Sequence, residues 1–157
     1  MTGPVEIREE PPSGLATQAL FAEYVALLHD RLGIRFEPTD RLFATEEELD
    51  KANGAWLVIY ARGLPVGCGG VRTLESKVAE VKRMFVSQRA RRSGYGRRLL
   101  HELEDIAVTR GHSRVRLVTT EVLSEARSLY VAEGYRVIHR IPRERRPVEI
   151  WMEKDVP

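Results

Sequence analysis

The chain contains one cysteine, Cys68, in 157 residues. A lone thiol excludes an intramolecular disulfide, and no His/Cys spacing of the kind that closes around zinc occurs, so no metal is expected. Long apolar runs are also missing at the start, where Met1 to Glu10 is polar and holds Pro4 and three glutamates. That stretch is neither a signal peptide nor a membrane span. An excess of one charge sign is also missing: 25 Lys and Arg oppose 23 Asp and Glu, and the net charge of +2 does not by itself point to nucleic acid. Repeats and low-complexity segments are absent. These features suggest a cytoplasmic protein with no membrane partner. With 43% hydrophobic residues, 157 residues can bury one core but leave no room for a second, so a single domain over 1–157 is expected.

The arginines that are present cluster at 89 to 98 and again at 140 to 146. Such local positive potential suits a phosphorylated small ligand at least as well as a nucleic acid backbone. No aromatic residues are interleaved for base stacking, so nucleic acid is not the expected partner.

The first cluster lies in the most informative stretch, Val86 to Leu100. There an apolar strand runs into a basic, glycine-punctuated turn and then into an amphipathic helix. Gly94 and Gly96 let backbone N–H groups come close to a ligand, and the following helix turns unpaired N–H groups and its positive dipole end to the same point. A phosphate or pyrophosphate fits such a cradle. A nucleotide-hydrolysing P-loop is excluded because no Lys-Ser or Lys-Thr pair follows the glycines, and a dinucleotide fold lacks its third glycine.

The other elements follow from periodicity and turn chemistry. Val5 to Arg8 alternates as a short strand before Pro11-Pro12, and Ser13 is placed to cap a helix. Leu20, Phe21, Tyr24, Leu27, Leu28 and Leu32 recur at helical spacing, with Gly33 as the stop. Thr45-Glu46-Glu47-Glu48 is a capping box that starts a short acidic helix. Ala55 to Tyr60 and Val66 to Leu74 make a hairpin around Arg62-Gly63, and Val78 to Val86 runs antiparallel beside it. A helix from Gly96 to Arg110 leads to a strand at Val115 to Thr119, parallel to the one before the helix, which opens a ligand crevice at the strand ends. A further helix carries Ala126, Leu129, Tyr130 and Glu133 and stops at Gly134. Tyr135 to Ile141 and Val148 to Glu153 form a last hairpin around a basic loop from Pro142 to Pro147.

The spacing Arg91-x-x-Gly94-x-Gly96, entered through Met84-Phe85-Val86, resembles motif A of the GNAT superfamily of acyl-CoA-dependent N-acetyltransferases. Arg92 stands where many members carry glycine. The pattern Ala126-x-x-Leu129-Tyr130-x-x-x-Gly134-Tyr135 resembles motif B, with Leu123 where many members have asparagine. The element order β-α-α-β-β-β-α-β-α-β-β matches the GNAT acyl-CoA N-acyltransferase fold, an α/β protein with a mixed sheet.

The resemblance implies that acetyl-CoA is the co-substrate and that Arg91, Arg92, Ser93, Gly94, Tyr95, Gly96 and Arg97 hold its pyrophosphate. It also implies that the backbone of Met84, Phe85 and Val86 pairs with the pantetheine, a backbone N–H near Phe85 or Val86 meeting the thioester carbonyl. Residues 34–53 correspond to the acceptor side. Homodimers are common in the family. Glu80 sits at the offset of the general base in histone-type members, but a structural glutamate paired with Lys82 or Arg83 explains it equally well. Tyr130 resembles the tyrosine that protonates the departing thiolate; core packing would also explain it, but a buried phenol still needs a partner for its hydroxyl, which favours the functional role. Cys68 has no adjacent histidine to activate it, and His29, His101, His112 and His139 read as plain solvated side chains. Together these point to direct acetyl transfer to a primary amine of a small molecule or peptide. The alternative is a catalytically silent module that binds acyl-CoA as a sensor.

Overall fold

A computed structural model describes residues 4–33, 49, 54–144 and 146–157. Its elements are β1 (Val5–Glu9), α1 (Leu15–Leu32), β2 (Gly54–Ala61), β3 (Leu64–Glu75), β4 (Val78–Val86), a 3-10 turn (Gln88–Ala90), α2 (Tyr95–Thr109), β5 (Arg114–Thr120), α3 (Ser124–Ala132), β6 (Arg136–Arg143) and β7 (Arg146–Asp155). The acidic helix expected after Thr45 lies outside the described residues.

The strands form one mixed sheet in the order β1-β2-β3-β4-β5-β7-β6. The β4–β5 pair is parallel and every other pair is antiparallel, because only α2 intervenes as a crossover between sheet neighbours. The sheet separates two cores. Beneath α2 and α3, Leu99, Leu100 and Leu103 are fully buried against Val71, Val81, Val115, Leu117 and Ile150. Each such leucine contributes about 1.5–3 kcal/mol over its exposed state. Beneath α1, Leu20, Phe21 and Leu27 pack on Trp56, Val58, Cys68 and Phe85.

Local chemistry sets the helix ends. Gly33 closes α1 at φ +65°, its N–H donating to the His29 carbonyl at 2.7 Å. Ser13 does not cap α1: Gly14 holds the N-cap position with no side-chain bond, while the buried Thr17 hydroxyl accepts from Trp56 Nε1 at 2.7 Å. The last hairpin is longer than expected. β6 runs through Pro142 to Arg143 and β7 begins at Arg146, so the connection shrinks to two residues.

Candidate active site

Among the described residues the sheet opens between β4 and β5. β4 pairs with β5 only from Val78–Val81 to Arg114–Leu117, although β4 continues to Val86 and β5 to Thr120. Over the same length β4 stays paired to β3, and β5 stays paired to β7. The cause is a bulge: between Cys68 and Gly70 on β3 the register advances two residues, while on β4 it advances three, from Lys82 to Phe85. Arg83 sits in the bulge at φ +55°. Such an extra residue bends and twists its strand, which here carries β4 away from β5.

Beyond the bulge, β4 offers its second edge to the crevice. The Ser87 N–H donates to the Val66 carbonyl on β3 at 2.8 Å. By strand alternation Phe85 also faces β3, whereas the N–H groups of Met84 and Val86 face the open side. The Val86 carbonyl, also on that side, accepts from Arg91 Nε at 3.4 Å. Phe85 itself is buried, with Tyr24 of α1 tilted on its ring at 5.1 Å.

The crevice leads to the start of α2. Gly94 is the N-cap at φ +79°, no side chain caps the helix, and its first turn holds no acidic residue. The first N–H groups, from Tyr95 to Arg97, therefore have no acceptor within the helix. Arg92, in the position the family often gives to glycine, adopts φ +66°. It takes the left-handed backbone the turn requires, at a cost of roughly 1–2 kcal/mol. Ser93 is half-buried between the two. The Tyr95 side chain is in the core under α2, leaving only its backbone for the turn. Gly96 has a packing reason of its own, since a Cβ there would stand 3.2 Å from Leu129 Cδ2 of α3.

Of Arg91, Arg92 and Arg97, the first and the last are already engaged. Arg97 Nε lies 2.5 Å from Glu133, which also meets His101 at 2.6 Å. Arg91 reaches Glu125 at 3.5 Å. Glu125 in turn accepts from both terminal guanidinium nitrogens of Arg31, at 2.5 and 2.9 Å, and Arg31 also donates to the Val122 carbonyl at 3.1 Å. The Arg31 bonds hold the Glu125 carboxyl down to about 2 against a smaller opposing effect of burial. This link joins α1 to α3 across 94 positions of chain, and nothing local in the sequence marks it.

Tyr130 projects from α3 into the core, 5% exposed and edge-on to Tyr135 at 5.9 Å. Its hydroxyl bonds no described residue, and burial pushes its phenol well above the ordinary value. Glu80 lies on the opposite face of the sheet, on the paired part of β4 before the bulge, and accepts from Arg72 Nε at 2.8 Å. Its partner is thus a cross-strand arginine on β3, not a neighbour on its own strand. Cys68 is fully buried, and burial drives its thiol far up, which removes it as a nucleophile. His112 is not solvated: it is 9% exposed, and its Nε2 lies 3.0 Å from Thr73 Oγ1. Among the described residues no helix is long and apolar enough to cross a membrane.

Residues 19–135 match the family model described as the Acetyltransferase (GNAT) family. An "IAA acetyltransferase" of Azospirillum brasilense is 36% identical over 110 residues, which are 69% of this chain and 72% of that protein. Among solved structures, a putative acyl-CoA N-acyltransferase from Klebsiella pneumoniae superposes with a TM-score of 0.78 at 26% identity, covering 96% of this chain and 97% of that one. A GNAT family acetyltransferase from Elizabethkingia anophelis, solved with acetyl-CoA bound, gives a TM-score of 0.69 at 14% identity over 97% and 98% of the two chains.

Proposed function

The chain belongs to the acetyltransferase (GNAT) family, and from that premise we propose that it moves an acetyl group from acetyl-CoA directly to a primary amine of a small molecule or peptide within a ternary complex. The observation that carries this reading is the one-sided opening between β4 and β5, which runs into an uncapped helix start with no acid in its first turn. An extended pantetheine needs a free strand edge, and a pyrophosphate needs unpaired N–H groups and positive charge. The open edge of β4 is followed in the chain by the start of α2, whose first N–H groups have no acceptor within the helix.

In this reading the N–H groups from Ser93 to Arg97, with the Arg91 and Arg92 guanidinium groups, hold the pyrophosphate. The open edge of Met84 to Val86 holds the pantetheine, and the Val86 N–H donates to the carbonyl oxygen as it gains charge. Bound acetyl-CoA supplies a thioester, whose sulfur leaves readily once protonated. Glu80 takes the proton of the amine, directly or through water, and Tyr130 gives its proton to the sulfur. The hydrogen bond from Arg72 Nε at 2.8 Å orients the Glu80 carboxylate. The fully buried Cys68 leaves no route through an acyl-enzyme on that thiol. We place the enzyme in the cytoplasm on its composition.

The test is calorimetric binding of CoA beside thiol release from acetyl-CoA over a panel of amino acids, polyamines, aminoglycosides and peptide N-termini. Binding with turnover on at least one amine is expected. Gly94→Asp should fold, since Asp tolerates the left-handed backbone and caps helices, but its charge should abolish CoA binding. Unchanged CoA affinity in that variant would sink the cradle. Tight binding with no transfer to any amine would leave a silent acyl-CoA sensor.

A further inference from the structure

The face of the sheet away from α2 changes character at β5. Strand alternation puts Val115 and Leu117 in the core under α2, and therefore Arg116 and Val118 on the other face. Glu153 and Trp151 of β7 and His139 of β6 share that face by register. α1 covers the β2–β4 part with its own core, but over β5 Val118 is 42% exposed, and the half-buried Trp151 meets His139 edge-on at 5.7 Å.

Within this surface the charges form a row. Arg116 stands opposite Glu80 on β4 and opposite Glu153 on β7. Glu80 is taken by Arg72 at 2.8 Å; Glu153 Oε1 lies 2.7 Å from Arg114 Nε as an ion pair, but accepts no hydrogen bond among the described residues. Arg116 makes no ion pair or hydrogen bond among the described residues, and its Nε is buried with no partner. A buried cationic donor left unsatisfied is costly and calls for an explanation, of which an absent anion is one. The planar guanidinium fork matches a carboxylate.

From this we infer that Arg116 receives the carboxylate of the acceptor, and that the acceptor is a free α-amino acid with an aromatic or large apolar side chain. The inference rests on the acetyl-transfer reading of the same site. Neighbouring strands lie about 4.8 Å apart, and Glu80 and Arg116 are in register on neighbouring strands. An α-amino acid carries its nitrogen and its carboxylate on one carbon. A carboxylate seated on Arg116 therefore leaves the amine beside Glu80, one residue from where β4 and β5 part after Val81 and Leu117. The side chain then lies along Val118 toward Trp151 and His139. A phosphate would suit Arg116 less well, because its larger negative charge would face both Glu80 and Glu153. A zwitterion matches the alternating signs of the row. In the transfer the acetyl C–S bond breaks and a C–N bond forms at the α-nitrogen. The α-ammonium first gives one proton to Glu80, so that the free amine can attack; the second proton leaves the nitrogen to solvent as the C–N bond forms, and the sulfur receives one from Tyr130, whose hydroxyl is restored from solvent, giving an N-acetyl amino acid and free CoA.

The experiment measures kcat/KM for phenylalanine and tryptophan against phenylalanine amide, phenethylamine and tryptamine, with acetyl-CoA saturating. The acids should be preferred by on the order of 10²-fold, as expected of a site whose buried donor is left unpaired by the analogue. Arg116→Gln should lower kcat/KM for phenylalanine at least about tenfold more than for its amide, chiefly through KM. Arg116→Lys, which keeps the charge without the fork, should fall between. N-acetylphenylalanine with CoA should saturably change the tryptophan emission of the wild type, and its amide should not. Equal or better turnover of the amide and of phenethylamine would overturn the inference while leaving acetyl transfer intact. So would an Arg116→Gln variant that loses melting temperature but keeps the wild-type ratio of acid to amide. No transfer to any amine would overturn both readings together.

Discussion

Tyr130→Phe separates chemistry from packing, because the structure makes the two respond differently. The ring is 5% exposed and stacked edge-on against Tyr135, and phenylalanine keeps both contacts. The hydroxyl bonds no described residue, so its removal costs no hydrogen bond among the described residues, and stability should change by less than about 1 kcal/mol. In a chain of this size that is a shift of no more than about 4 °C in Tm. Catalysis is different. A donor aimed at a developing thiolate contributes on the order of 10²-fold or more, about 2.7 kcal/mol at the transition state. Burial raises the phenol above its ordinary value of about 10, so the proton is present throughout the neutral range, and titration of Tyr130 should not limit turnover below that pH. The assay is thiol release at saturating acetyl-CoA and amine, with CoA affinity and Tm measured on the same preparation. The expected result is a fall in kcat of at least tenfold with the other two little changed. A folded variant with wild-type turnover would refute the reasoning and leave water as the proton source. A Tm loss of many degrees with full turnover would return Tyr130 to the core.

Glu80→Gln should lower turnover by about 10²-fold with CoA affinity nearly unchanged, and a loss under about threefold at every pH measured would assign Glu80 to its pair with Arg72 alone. Arg92→Gly should relieve the left-handed backbone strain and raise stability by up to about 1 kcal/mol in denaturant titration, while weakening CoA binding severalfold through the lost charge. Glu125 has a folded-state carboxyl depressed to about 2, so its stabilising link to Arg31 is complete above roughly pH 4.5 and is lost as the pH falls toward 2. Acid unfolding of Glu125→Gln should therefore show a shallower loss of stability across that window, and an unchanged profile would mean the link to Arg31 adds nothing. The same variant frees Arg91 of its carboxylate partner and should bind CoA several times more tightly at neutral pH, read by calorimetry.

Much of the fold could be read locally, because local chemistry specifies it. The spacing from Leu20 to Leu32 with Gly33 behind it predicts a helix that the structure bounds at Leu15–Leu32, and the strand–turn–helix around Gly94 appears where its residues require. Turn chemistry and alternation likewise fix the hairpins and the parallel pairing across α2, and two spaced motifs point to the family. Other features depend on contacts between distant parts of the chain. No local signal says that β7 rather than β6 lies beside β5, or that an extra residue at Arg83 opens β4 from β5, since both depend on register between strands. Ser13 looked like a cap, but the first turn of α1 is held by tertiary contacts, with Thr17 bound to Trp56. The hairpin end between Pro142 and Pro147 reads as loop by composition, yet edge strands accept proline, and pairing extends through it. Arg31, Glu125 and Arg91 meet only because α1, α3 and the turn before α2 converge on one end of the sheet. Arg72 becomes the partner of Glu80, and Arg116 its unpaired neighbour, only because three strands align in one register. Sequence determined which residues could bind an anion, donate a proton or close a helix, since those are properties of side chains and local backbone. Tertiary structure decided which of them face one another, because register and crossing geometry arise from the packing of the whole chain.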